Sequence, residues 1–142
     1  KKLAGGASKA RGLIGTESCF LPNQLEMRSY KECGIEKSRY LATRDLRTSE
    51  ICGGRDGKIF LVSEAQPGKN CPPMHPWCRS TTVAVVSEEA FRRMQRRARD
   101  PVTGKTYLVP ASMNYQEWYA KYVEKSSNPA IIRVEKTRPT RF

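Results

Sequence analysis

Three potential metal ligands lie close together in a proline-rich stretch at residues 70–82, which reads NCPPMHPWCRSTT. Three residues separate Cys71 from His75, and two separate His75 from Cys78. Thiolates and imidazoles at such intervals are typical zinc ligands, and the neighbouring prolines restrict the loop before any metal binds. A tetrahedral site needs a fourth donor, which Cys52 in the segment RTSEICGGRDG can supply. The sequence therefore predicts a structural zinc site formed by Cys52, Cys71, His75 and Cys78.

The residue types leave the fourth ligand open. Cys71 can instead be a thiol packed beside Pro72 and Pro73, in which case Asp45 or a water molecule completes the metal sphere. The same cysteines can also be buried thiols without any metal, because free cysteine is among the most buried residue types.

A catalytic site can be drawn from the same region. Cys78 or Cys52 can act as a nucleophile with His75 as its base, or a metal can activate water beside Asp45 or Glu50. The single histidine cannot ligate a metal and act as a base at once, and the His-x-Glu and His-Glu-x-x-His patterns of zinc enzymes are missing. We therefore expect no enzyme, and the alternative is a metal-dependent hydrolase or toxin-like nuclease centred on His75 and Asp45.

The charge of the chain points to a polyanionic partner. Its 142 residues contain 26 lysines and arginines against 14 aspartates and glutamates, which gives a net charge of +12. Such an excess raises the affinity for nucleic-acid phosphates without specifying a fold. No apolar run approaches the roughly 18–20 residues of a membrane span, and five cysteines, an odd number, favour a reducing compartment over a disulfide framework.

Five arginines follow the strand-like segment TTVAVV at residues 81–86. Ser87, followed by two glutamates, is a favourable helix start, and the pattern predicts a helix that runs to about Arg99. Guanidinium groups beside a narrow apolar stripe suit phosphates, although a solvated helix face is the simpler interpretation. The residues predicted to bind nucleic acid are Arg92, Arg93, Arg96, Arg97 and Arg99.

The remaining pattern alternates short helices and strands. Apolar spacing predicts a helix over about 17–33, a capping box at Asn114 and Glu117 predicts another to about Lys125, and the predicted strands lie near 35–42, 59–62, 81–86 and 105–109. The segment at 59–62 is predicted to be buried. We expect an α+β fold in which helices flank a small, mostly antiparallel sheet and the Cys/His metal site staples a loop.

The ordered motifs of the central segment resemble a known family. They are YLATRDLRTSEIC at residues 40–52, DGKIF at 56–60 and GKNCPPMHPWCRSTT at 68–82. Together they are similar to the minor head proteins of tailed bacteriophages, the head-morphogenesis family typified by phage Mu protein F. Ser49 departs from the pattern, because some relatives carry a second cysteine three residues before Cys52.

The resemblance implies a domain of this type at residues 16–125, between a basic N-terminal arm or the end of an upstream domain at 1–15 and a basic tail at 126–142. It implies a structural virion protein that acts in head morphogenesis and has no enzymatic activity. The implied partners are the portal protein, the major capsid protein or both, and double-stranded DNA, with no membrane and no small-molecule substrate. The implied location is the head interior or portal vertex, and the host cytoplasm during assembly.

Overall fold

Short helices and strands form two compact units in the computed structural model, which describes residues 2–125 and side chains from residue 6 onward. Unit 1 comprises the chain up to Leu41 together with Lys58–Val86. Unit 2 comprises Ala42–Gly57 and the described residues from Ser87 onward. The predicted tail at 126–142 lies outside the described residues, and the predicted domain limits at residues 16 and 125 stay predictions.

A long helix, α1 (Lys2–Glu32), begins unit 1. Gly34 follows the last turn of this helix and has a φ of +69°. The N–H of Gly34 donates to Lys31 O, and the N–H of Ile35 donates to Tyr30 O at 2.8 Å. These two bonds form a Schellman motif, which satisfies the last carbonyls of the helix. The predicted helix and its end are therefore confirmed.

The helix α1 begins well before the predicted residue 17. The prediction starts the helix too late because the glycines in this segment have a low helix propensity. The structure shows what at least one of them does. Gly12 is buried beneath Trp77, and a Cβ at this position would lie 3.2 Å from Trp77 Nε1. Packing against a distant residue, which local propensity does not report, thus favours glycine inside this helix.

The strands of unit 1 form an antiparallel sheet, and their bounds are Lys37–Leu41 (β1), Ile59–Leu61 (β2) and Thr81–Ala84 (β3). The central strand is β1, with β2 and β3 on either side. The prediction that 59–62 is a buried strand is wrong for β2, an edge strand in which Ile59 and Leu61 are each 42% exposed. Only the next residue, Val62 in a 3-10 turn, enters the apolar core, where it packs with Met27 and Cys71.

Unit 2 combines short helices with a β-hairpin, and their bounds are Glu50–Gly53 (α2), Glu88–Arg93 (α3), Gln95–Arg99 (β4), Thr106–Pro110 (β5) and Tyr115–Tyr119 (α4). The predicted helix start is confirmed, because the Ser87 hydroxyl accepts the N–H of Ala90. The prediction of a single helix to Arg99 is wrong. Met94 is extended, and the chain continues as β4, which pairs antiparallel with β5.

The physical reason for this switch lies on the inner face of β4. Alternate residues Arg96 and Ala98 point inward, whereas Gln95, Arg97 and Arg99 are exposed, a period of two that a strand provides and a helix does not. Ala98 is fully buried in the apolar core of unit 2. Tertiary packing therefore overrides the helical propensity of the arginine run.

Aromatic side chains from β5 and α4 build the core of unit 2. Trp118 is completely buried, and its Nε1–H donates to Tyr107 Oη at 2.7 Å. The predicted capping box is confirmed at 2.9 Å in both directions between Asn114 and Glu117, after which α4 continues as a π-helical turn at Ala120–Glu124. Both sheets are antiparallel, which confirms the predicted α+β class, although there are two small sheets instead of one.

Candidate metal centre

The loop that carries His75 and Cys78 closes in a tight turn. The Cys78 N–H donates to His75 O at 3.2 Å, and Trp77 between them has a φ of +66°, a conformation that a bulky residue rarely adopts. The Trp77 ring lies against the positions of Gly12 and Gly15 on α1. This contact supports the turn and so fixes the segment that presents His75 and Cys78.

A separate cap holds Cys52 at the start of α2. Ser49 is the N-cap residue, and its hydroxyl accepts the N–H of Cys52 at 3.2 Å. Gly53 follows, and a Cβ there would lie 2.6 Å from Tyr115 Cδ1, so any larger residue would displace the helix. The cap and the close packing together keep Cys52 buried and its backbone fixed.

Cys52, His75 and Cys78 form a group that can bind a metal ion. The two Sγ atoms and a ring nitrogen of His75 all lie within 4.8 Å of one another. The imidazole is also oriented, because its Nδ1 lies 2.6 Å from Pro76 O. A carbonyl can only accept a hydrogen bond, so this contact requires a proton on Nδ1, and in that tautomer Nε2 is the nitrogen that can ligate a metal.

This donor set fits zinc. With zinc bonds of about 2.3 Å to sulfur and 2.0 Å to nitrogen, the ligand atoms of a tetrahedral site lie roughly 3.5–3.8 Å apart. The two Sγ atoms and the His75 nitrogen, which lie within 4.8 Å of one another, are close to this spacing. Two thiolates and a neutral imidazole are soft and borderline donors that favour zinc over hard cations such as magnesium. None of the five cysteines, all within the described part of the chain, forms a disulfide.

Cys71 lies elsewhere. Its side chain is completely buried in the apolar cluster with Met27 and Val62, and its thiol is 3.6 Å from Pro72 O. Burial raises the pKa of this thiol to about 11, as expected for a cysteine packed among apolar side chains. The structure thus brings together three of the four predicted ligands, and Cys71 has the surroundings of a packed core residue.

Asp45, the alternative fourth ligand, is also not a member of the group. Its Oδ1 accepts the N–H of Arg47 at 2.9 Å and the hydroxyl of Thr48 at 3.4 Å, which makes it the cap of its own turn. Its backbone carbonyl accepts the hydroxyl of Tyr115 at 3.1 Å. Asp45 therefore shapes the turn that precedes α2.

Arg96 differs from the other arginines of its run. Its Nη2 donates to Asp56 Oδ1 at 3.0 Å and to Ala42 O at 2.7 Å. Asp56 also pairs with Arg44, both side chains being fully buried, and burial together with the nearby charge of Arg96 lowers the pKa of Arg44 to about 10. Arg96 is thus part of a buried ion-pair cluster, whereas Arg92, Arg93, Arg97 and Arg99 are exposed.

Several residues that shape these sites carry little signal in the sequence. Asp56 precedes Gly57 in the typical pattern of a tight turn, and nothing local indicates that its carboxylate binds Arg44 and Arg96. Nothing near Trp77 in the sequence indicates its position: 47% of it is exposed, and its ring lies against Gly12 and Gly15 of α1. Ser49 had a detectable signal, because a serine before Glu50 and an apolar residue is a typical N-cap pattern.

Comparison with known proteins identifies the family. The model of the family described as "Phage Mu protein F like protein" matches residues 3–83, more than half of the chain. Comparisons with curated proteins and with solved structures find no match. Among the helices of residues 2–125, none has both the length and the apolar character of a membrane span. The matched segment contains Cys52, His75 and Cys78, and the chain belongs to the phage Mu protein F like family of head-morphogenesis proteins.

Proposed function

We propose that the chain is a structural minor component of a tailed bacteriophage head, acting in head morphogenesis at the portal vertex or the head interior. The observation that carries this proposal is the family match over residues 3–83. The partners are the portal protein, the major capsid protein or both, encountered in the host cytoplasm during assembly and retained in the virion. The basic surface of the chain supports contact with packaged double-stranded DNA.

The proposed role is assembly and not catalysis. A hydrolase or nuclease centred on His75 and Asp45 needs both side chains at one reacting centre, but the group that contains His75 does not contain Asp45. Asp45 is buried and caps its own turn, so its carboxylate is poorly placed to act as a base on a macromolecular substrate. Cys52 and Cys78 are buried as well, as expected for ligands of a structural metal.

We propose zinc as the metal and a structural role for it. When bound, zinc would fix the thiolates of Cys52 and Cys78 and Nε2 of His75 at one point, and its binding free energy would stabilise the folded chain. The chain's own contribution is orientation, through the Pro76 carbonyl that holds the imidazole and the Ser49 cap that holds Cys52.

The metal proposal is tested by elemental analysis of the purified chain together with thermal unfolding. Cys52→Ser and His75→Ala should lose the metal and unfold at a lower temperature, whereas Cys33→Ser, which changes an exposed cysteine, should alter neither. A His75→Ala protein that keeps its stability and loses only a hydrolytic activity would favour the catalytic alternative.

The role in the head is tested in the phage or prophage that encodes the chain. Deleting the coding sequence should reduce the yield of DNA-filled heads, a plasmid copy should restore it, and mass spectrometry of purified heads should detect the chain at few copies. The proposal would be overturned by two results together: the deletion leaves the yield of DNA-filled heads unchanged, and purified wild-type heads contain no detectable copy of the chain.

A further inference from the structure

The β4–β5 hairpin of unit 2 has one packed face and one exposed face. Residues opposite each other in the ladder share a face, and the register pairs Arg97 with Leu108 and Arg99 with Thr106. These side chains are exposed, together with the pair formed by Gln95 and Pro110. We call this exposed set the ribbon face; its members are Gln95, Arg97, Arg99, Thr106, Leu108 and Pro110.

The opposite face of the hairpin fixes the orientation of the ribbon face. Ala98 and Val109 are buried in the aromatic core, and Arg96 is bound to Asp56. The hairpin therefore cannot rotate to hide its outer side chains without breaking a core and an ion pair. Arg97 is held further by a hydrogen bond of 3.3 Å from its Nη1 to Thr106 Oγ1 across the ladder, which leaves other guanidinium N–H groups for a ligand.

The charge of the ribbon face is entirely positive. Neither β4 nor β5 contains an aspartate or glutamate, and the carboxylate of the connecting turn, Asp100, accepts the N–H groups of Val102 and Thr103 at 2.8 Å each. Beside the ribbon face, Arg47 lines the same depression of about 400 Å³ as Arg99, and Asp45 and Asp100 line it as well. Arg47 Nε lies 3.8 Å from Asp45 Oδ2, but its side chain is 71% exposed whereas that of Asp45 is buried. The central apolar residue, Leu108, is 56% exposed.

We infer that the ribbon face docks on the phosphate backbone of double-stranded DNA, with Arg97, Arg99 and Arg47 as its phosphate contacts, an inference that rests on the proposed DNA contact. A two-stranded ribbon has the width that the major groove admits, so its basic face can lie along the phosphates at the groove edge. Arg97 and Arg99 are about 6.6 Å apart along the strand. A duplex carries about one negative charge per 1.7 Å of its axis, so phosphates can face both arginines wherever the chain lies along the duplex. An acidic protein surface, with carboxylates at fixed positions, would match the two arginines in only a few alignments.

The test measures the affinity of the full chain for a short random-sequence duplex by fluorescence anisotropy, between about 50 and 200 mM salt. The double variant Arg97→Gln/Arg99→Gln removes two charges from the ribbon face. Its control, Arg28→Gln/Lys31→Gln, removes two exposed charges from α1. Leu108→Glu places an opposing charge at the centre of the ribbon face without changing a buried residue.

We expect the salt slope of the ribbon variant to be shallower by about 1.8, because each lost phosphate contact removes about 0.9. Leu108→Glu should also weaken binding, and the control variant should change the slope by less than half as much. Circular dichroism checks that each variant is folded.

The possible failures can be told apart. If the wild-type chain binds the duplex and both double variants behave alike, the ribbon face is rejected while the DNA contact stands. If the wild type does not bind at low salt, the proposed DNA contact fails and the ribbon face with it. Tighter binding to polyglutamate than to the duplex, with the same dependence on Arg97 and Arg99, would overturn the inference in favour of an acidic protein partner.

Discussion

At the scale of single residues, the packing of Trp77 decides which glycines of α1 are required. Glycine in a helix interior lowers stability by about 0.5–1 kcal/mol relative to alanine, so a glycine there is expected where a larger residue would not fit. Gly12 has such a reason in the 3.2 Å approach of Trp77 Nε1. At Gly15 a Cβ would meet Trp77 Cε3 at 3.5 Å, which is an ordinary contact. The two positions are therefore unequal although both face the same ring.

We expect Gly15→Ala to raise the free energy of unfolding by about 0.5–1 kcal/mol, because it improves helix propensity without crowding. Gly12→Ala should lower it by about 1 kcal/mol, because the overpacking cost exceeds the propensity gain. Urea unfolding of the two variants measures the difference. In a Trp77→Ala background both substitutions should stabilise the chain, and a persistent penalty at residue 12 would contradict the role given to Trp77.

The surroundings of Cys71 lead to a prediction about metal content. Cys71→Ala should retain the full molar ratio of metal and lose about 1 kcal/mol of stability, since it removes a buried apolar sulfur. Cys78→Ala should lose the metal. Elemental analysis of the two purified variants separates a core residue from a ligand, and a loss of metal in Cys71→Ala would restore Cys71 to the ligand set.

At the scale of elements, the turn between β4 and β5 depends on one carboxylate. Asp100 accepts the backbone N–H groups of Thr103 and Val102, and these bonds lower its pKa below the ordinary value of 3.8. Since the folded pKa is depressed, the ionised form stabilises the hairpin at higher pH. This stabilisation is lost as the pH falls through the lowered pKa of the folded state.

We expect Asp100→Ala to reduce stability at neutral pH by about 1 kcal/mol, the net contribution of the lost hydrogen bonds. The difference between wild type and variant should shrink at a pH well below 3.8, where Asp100 is protonated in both folded and unfolded chains. Urea midpoints measured at the two pH values give the result. A difference that does not change with pH would mean that the charge of Asp100 contributes nothing.

Elements with a local cause were predictable from the sequence, and elements with a distant cause were not. Gly34, the Ser87 cap and the Asn114 capping box act within a few residues, and all three lie where the sequence predicts them. The β4 strand was predicted as helix because its cause, the pairing of Arg96 with Asp56, joins segments far apart in the chain. The metal group follows the same logic. Donor types and spacing predict four ligands, whereas the fold brings three of them together and places Cys71 in an apolar cluster with Met27 and Val62.

At the scale of the whole molecule, the boundaries of the family match along the sequence differ from the boundaries of the two compact units. The match ends at residue 83, but the segment 42–57 inside it belongs to unit 2. This segment is held by residues beyond the match. Arg44 bridges to Ala98, Asp56 binds Arg96, and Asp45 O accepts the hydroxyl of Tyr115.

A chain truncated after Val86 should therefore lose the structure of segment 42–57. In the full chain trypsin should cleave slowly after Arg44, which is 1% exposed, and in the truncated chain cleavage there should be at least ten times faster. Cleavage after Lys69, in an exposed loop of unit 1, serves as the internal reference and should be similar in both. Mass spectrometry of timed digests provides the rates, and continued protection of Arg44 after truncation would show that 42–57 folds without the hairpin.

The place where segment 42–57 leaves and rejoins unit 1 has a consequence for engineering. Tyr40 N–H donates to Lys58 O at 2.8 Å, so the two ends of the segment are already neighbours in the β1–β2 ladder. Geometrically the segment is the loop of a hairpin, and an Asn-Gly turn of type I′ placed directly between Tyr40 and Lys58 could close the same ladder with two residues and keep its register. A chain in which such a turn replaces residues 41–57 and which ends at Val86 tests whether α1 and its tryptophan contact can be studied in a minimal single-sheet protein.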